Sequence, residues 1–109
     1  MLLGFGKKKK RSEYPSGKEM AERLNGKHLK YVTERRDDED YVIGKEGALI
    51  LKGDEFLVFS SADVVFRCHV NELQASELLS LEGVILNAPD IEHGGEYRSI
   101  IAYYTYYIK

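Results

Sequence analysis

The sequence predicts a mainly β fold: a small, strongly bent antiparallel sheet or barrel, with one short N-terminal helix and one short helical turn near residues 72–80. Three observations carry this expectation. Short apolar segments alternate with period two along most of the chain, as half-buried strands do. Clusters of Gly, Asp, Asn and Ser separate them at hairpin spacing. Only two stretches carry a helix-start signal. A chain of 109 residues with 43% hydrophobic and 31% charged side chains has the size of one domain and buries enough surface for a core without covalent staples.

The helix comes first. Ser16 followed by Glu19 has capping-box spacing, Pro15 and Met20 stand at staple positions, and Asn25-Gly26 supplies a stop, so the pattern predicts a helix over 17–24. Met20, Ala21 and Leu24 form its narrow apolar stripe, enough to dock on a larger body but too little to stand alone. From Lys27 the period changes to two, with Leu29, Tyr31 and Thr33 set against His28, Lys30 and Val32. The six charges Arg35–Asp40 then read as a solvated hairpin tip or connection, because they cannot be buried together. Tyr41–Ile43 begins a second strand that Gly44 and Gly47 are expected to break. Ala48–Leu51 and Phe56–Phe59 flank Lys52-Gly53-Asp54-Glu55, the clearest tight hairpin in the chain.

After a turn at Ser60–Asp63, Val64, Phe66, Cys68 and Val70 alternate with Val65, Arg67 and His69. Asn71 and Gln74 resemble a helix start, with Leu73, Leu78 and Leu79 as anchors of one or two turns over Glu72–Ser80. Val84–Leu86 reads as a strand closed by Asn87-Ala88-Pro89-Asp90, and Glu92–Glu96 as a loop. Tyr97–Ile108 has the richest β composition, although Ile100, Ile101, Tyr104, Tyr107 and Ile108 also fit helical spacing. Read as a strand, it is apolar on both faces, as a long bent strand crossing between two sheets would be.

Residues 1–14 form a basic, flexible tail ahead of a single β-rich domain over 15–109. Lys7, Lys8, Lys9, Lys10 and Arg11 concentrate positive charge there, although the whole chain carries −2. From Gly47 onward four basic residues face nine acidic ones, a net of −5, which argues against specific nucleic-acid binding by the folded body. Leu2, Leu3 and Phe5 ahead of the lysines leave room for weak contact between the tail and an anionic membrane. A single cysteine and the lack of a spanning apolar run point to the cytoplasm.

Gly47–Leu86, in which a glycine opens a hairpin and an apolar–arginine strand leads into Glu72-Leu73, Glu77-Leu78-Leu79 and Gly83-Val84-Ile85-Leu86, resembles pleckstrin-homology-like barrels. The likeness covers about 40 residues and implies a PH-like or SH3-like barrel. Such barrels end in a plugging helix, where this chain ends in a tyrosine-rich segment. The chain as a whole resembles small uncharacterised bacterial proteins, which implies no particular activity.

No catalytic or metal-binding constellation emerges, and no cofactor is expected. Cys68 and His69 are neighbours, but adjacent strand residues point to opposite faces and cannot share a proton. His93 among Asp90, Glu92 and Glu96 matches no established metal spacing. The leading expectation is a non-enzymatic cytoplasmic binding or scaffold module with a protein partner. Its surface would be Arg67, Arg98, Tyr103, Tyr104, Tyr106 and Tyr107, since Tyr and Arg dominate interface hot spots. The alternative is a small enzyme or ligand-binding barrel with an internal pocket, its mouth formed by Arg67, His69 and the His93 loop. A homodimer is expected if Tyr97–Ile108 lies at a sheet margin.

Overall fold

In a computed structural model, which describes residues 16–105, seven antiparallel strands form one open sheet. The basic tail, Pro15, Tyr106, Tyr107 and Ile108 lie outside the described residues. One helix, α1 (Gly17–Leu24), precedes the strands β1 (His28–Arg36), β2 (Glu39–Lys52), β3 (Glu55–Ser60), β4 (Asp63–His69), β5 (Gln74–Glu77), β6 (Gly83–Asp90) and β7 (Glu96–Tyr104). Their spatial order is β4-β3-β2-β1-β7-β6-β5. Thus β1 and β7 pair at the centre, and β4 and β5 are the margins. The sheet curls far enough for β4 to pack against β6 and the short 3-10 turn Ile91–His93 that follows it.

The helix forms as its signals predict. Ser16 Oγ accepts from the Glu19 amide at 3.1 Å, and the Ser16 amide donates to Glu19 Oε1 at 2.9 Å, which satisfies two of the helix's orphan groups. Met20, Ala21 and Leu24 are buried. Gly17 lets the helix sit directly on the chain beyond β4, since a Cβ there would lie 2.3 Å from the Val70 carbonyl oxygen. Asn25 Oδ1 ties the end of the helix to β2 by accepting from the Leu51 amide at 2.8 Å.

The run Arg35–Asp40 is a solvated hairpin tip, as its charges predict, with Arg35 paired to Asp40 and Arg36 to Glu39 across a two-residue turn. Asp37 and Asp38 both take positive φ, 50° and 67°, the backbone of a primed turn. The strands run into this charged tip because its side chains remain in water on both faces. Gly44 and Gly47 do not break β2, which runs unbroken for 14 residues. Its first part pairs with β1 and its last with β3. The glycines permit the bend between the two parts: at Gly47 a Cβ would fall 1.7 Å from the Phe59 carbonyl oxygen. At 14 residues β2 is the longest strand among the described residues, and the C-terminal strand does not cross between two sheets but pairs with β1 and β6 within one sheet.

The helical turn expected near 72–80 is replaced by a 3-10 turn at Val70–Glu72 and the strand β5, paired from Gln74↔Asn87 to Glu77↔Val84. Ladder bonds to β6 outweigh a helix signal resting on weak local propensity. β6 also continues through Pro89 to Asp90. Pro89 stands beyond the last residue that pairs with β5, on a flank where no strand of the described residues pairs with it and a missing N–H is tolerated.

Tyr97–Tyr104 is a strand, as its composition favours, and it lies centrally, so the premise for dimerisation through its margin is absent. Along it Ile100, Ala102 and Tyr104 face the core. Phe56, Phe66, Leu24, Leu29, Leu49 and Leu86 are fully enclosed, so the interior of the curled sheet is filled by side chains. No helix among the described residues is long and apolar enough to cross a membrane.

Candidate functional site

Asp90, at the end of β6, is fully buried and charged. One carboxylate oxygen, Oδ1, accepts from the Arg67 amide at 3.1 Å and the Glu92 amide at 3.0 Å. The other, Oδ2, accepts from Arg98 Nη1 and lies 2.6 Å from His93 Nδ1. An ionised carboxylate can only accept, so His93 Nδ1 carries a proton and donates it to Oδ2. The 3.1 Å approach of Arg98 Nη1 to His93 Nδ1 is then two donors meeting at one oxygen. Arg98 spends its other arms on Glu34 of β1, with Nε to Oε2 at 3.0 Å and Nη2 to Oε1 at 2.8 Å, a two-pronged pair between neighbouring central strands.

The charges follow from this arrangement. Burial pushes the Asp90 carboxyl up, and the bonds from His93, the Arg67 amide, Arg98 and the Glu92 amide more than reverse that, holding it below the ordinary range. The Arg98 hydrogen bond likewise holds Glu34 down against the opposing effect of burial. Arg98 is raised, chiefly by Glu34. Arg67, more exposed, bridges Glu92 through Nε at 2.9 Å and Glu55 through Nη1 at 3.0 Å.

The cluster satisfies the margin of β4. Val65 and Arg67 present backbone groups on the flank of β4 away from β3, and no strand pairs there. Asp90 accepts the Arg67 amide and Arg98 Nη1 reaches the Val65 carbonyl at 3.4 Å, so two side chains substitute for a missing strand. Beside the cluster lies an open cleft of about 530 Å³ bordered by Glu34, Arg36, His93, Tyr97 and Arg98. His93, half exposed, is its imidazole.

Comparison with known proteins adds no parallel. No family model, curated protein or solved structure matches the chain.

The residues singled out from sequence separate into three groups. Arg67, Arg98 and Tyr104 are engaged within the molecule: the two arginines in the ion pairs above, Tyr104 buried with its hydroxyl donating to Glu77 at 3.0 Å. Tyr103 faces outward and is half buried. Tyr106, Tyr107 and Lys7–Arg11 lie outside the described residues. Cys68 is buried and free, and burial pushes its thiol up to about 12, so it holds no thiolate at neutral pH. His69 is exposed. Arg67, His69 and His93 do not surround an internal pocket, because packed side chains occupy the core. Sequence reasoning missed Asp90 and Glu34 as a centre. A signal existed in the parity of the strands: Glu34 falls in step with Val32, and Arg98 with Ile100 and Ala102, which are charges on core-facing positions.

The outer face of the central strands is different in character. Tyr31 and Tyr103, paired across β1 and β7, have ring centroids 4.5 Å apart with planes tilted by 34°. Next to them on the same face come Thr33, Ile101 and Val42, in one cross-strand row. Val42 and, further along β7, Tyr97 are each 61% exposed. Thr33 Oγ1 is buried in this face without a hydrogen-bond partner among the described residues.

Proposed function

We propose that this domain is a non-enzymatic, cytoplasmic binding or scaffold module that engages a protein partner through the outer face of β1, β2 and β7. The observation that carries the reading is the Tyr31–Tyr103 pair, flanked by exposed Val42 and Tyr97. Tyrosine brings large contact area at low conformational cost, and these two are held by central, hydrogen-bonded strands. The Asp90 cluster supports a non-catalytic reading, since Arg98 is committed to both Glu34 and Asp90 and the group closes a sheet margin. Its arrangement serves architecture before chemistry. A pleckstrin-homology-like or SH3-like assignment belongs to the same proposal, supported by one sheet that curls on itself and a helix docked against it.

In-cell crosslinking tests the reading. A photoreactive residue in place of Tyr97 is expected to capture a discrete partner, and the double variant Tyr31→Ser/Tyr103→Ser to lose it while still unfolding cooperatively. The absence of any captured protein, or capture that the double variant leaves unchanged, overturns the proposal.

A further inference from the structure

We propose that the cleft beside the Asp90 cluster binds a small zwitterion, an amino acid with a flat apolar side chain. Arg36 would take its carboxylate, Glu96 and His93 its ammonium group, and Tyr97 its apolar body. The site meets the tyrosine face only at Tyr97 and needs no protein partner.

The cleft exists because two central strands part. Pairing of β1 with β7 stops at Glu34↔Ile100, although β1 runs on to Arg36 and β7 begins at Glu96. The gap has a volume of about 530 Å³, and small-molecule sites span about 300–1,000 Å³. Its floor is fixed. Arg98 crosses the gap to both oxygens of Glu34 and to buried Asp90, and the Arg98 and Glu34 side chains are each only 12% exposed. These groups are engaged with one another, so a ligand meets the rim.

The rim carries one cation and one anion that make no hydrogen bond among the described residues. Arg36 has its Cζ 4.7 Å from the centre of the Tyr41 ring and its Nε 3.7 Å from Glu34, contacts that orient the guanidinium and leave both Nη groups unbonded. Tyr41 is itself fixed, its hydroxyl donating to Glu39 at 2.7 Å. Glu96 is exposed and has no ion pair among the described residues. Arg35, the remaining cation at the rim, is taken by Asp40. His93 commits Nδ1 to Asp90, so Nε2 is the ring atom a ligand can reach, an acceptor in the neutral ring. Tyr97, 61% exposed, adds a bare aromatic surface.

One unpartnered charge of each sign selects the class of ligand. A simple anion would suit Arg36 and be opposed by Glu96, and a simple cation the reverse. A zwitterion suits both. Its carboxylate accepts two N–H bonds from Arg36, the two-pronged geometry that a guanidinium favours. Its ammonium donates to Glu96 and to His93 Nε2, and a flat side chain lies against the Tyr97 ring.

Titration of the full chain with phenylalanine, followed by amide NMR, tests the site. Saturable shifts are expected at Arg36, His93, Glu96 and Tyr97. Phenylalaninamide, which lacks the carboxylate, and N-acetylphenylalanine, which lacks the ammonium, should each bind about ten-fold or more weakly. Two variants separate the ends of the ligand. Arg36→Gln should weaken phenylalanine by about ten-fold and leave phenylalaninamide unchanged. Glu96→Gln should weaken phenylalanine and leave N-acetylphenylalanine unchanged. Both positions are exposed, so the urea midpoint of each variant should match that of the parent chain. The absence of saturable shifts at these residues overturns the proposal. So does a derivative lacking either charge that binds as tightly as phenylalanine, or an affinity for phenylalanine that both variants leave unchanged. Loss of binding in Tyr31→Ser/Tyr103→Ser would place the ligand on the tyrosine face instead.

Discussion

Asp90 has no contact with water, and its charge is tolerated only because two backbone amides, an arginine and an imidazole converge on it. Removing it leaves Arg98, whose side chain is only 12% exposed, short of a counter-charge, and frees the Arg67 amide at an uncovered sheet margin. Breaking a buried pair from one side costs about 3–5 kcal/mol, so Asp90→Ala is expected to lose that much in urea unfolding. Arg67→Ala, at a partly exposed pair, should lose about 1 kcal/mol or less. The pH dependence has a definite sign. Asp90 and Glu34 are held below the values they take in the unfolded chain, so the stability they contribute is complete above the unfolded pKa of about 4 and is lost as pH falls through the folded values. The urea midpoint should hold from neutral pH to about 5 and drop below about 4. The double variant Asp90→Asn/Glu34→Gln should lack most of that acid limb. A variant whose acid limb matches that of the parent chain would remove these carboxylates from the account.

Gly47 shows how one element depends on a missing side chain. A Cβ there would overlap the Phe59 carbonyl oxygen of the paired strand, and neither backbone can retreat without breaking the β2–β3 ladder. Gly47→Ala is expected to cost about 1–3 kcal/mol or more by overpacking. Gly53→Ala, with open space around it and a φ of +64°, should cost about 1–2 kcal/mol from conformation alone. Thermal and urea unfolding of the two variants rank them.

The sequence also advertised a glycine at this position, but a glycine inside an alternating pattern signals an interruption and a close approach equally well. That ambiguity is why β2 read as two strands. Local features were legible where their causes are local: the capping box of α1, the Gly53-Asp54 turn and the alternation from Val64 to Val70 all recur in the fold. β5 was not, because four residues with helix-compatible side chains become a strand only when β6 is beside them. The Asp90 centre was half legible. Its charges sit on core-facing positions, but nothing near Glu34 in the chain announces that its partner is Arg98 of the last strand.

For the molecule as a whole, the central place of β7 has a consequence for biosynthesis. β1 through β4 form a meander of neighbouring hairpins, and β5 and β6 another hairpin. β7 is the one strand among the described residues that pairs with both, with β1 from Leu29↔Tyr104 and with β6 from Gly83↔Tyr103. It is also the strand that the ribosome makes after all the others. Until Tyr104 has cleared the exit tunnel, the nascent chain holds two unjoined half-sheets, each with a long open flank. Glu34 and Asp90 wait there without Arg98. Ribosome-bound chains arrested with Tyr104 still inside the tunnel should be cut rapidly by protease, and those with a linker long enough to release it should resist. Protection gained before β7 emerges would mean that the two half-sheets close without the strand between them.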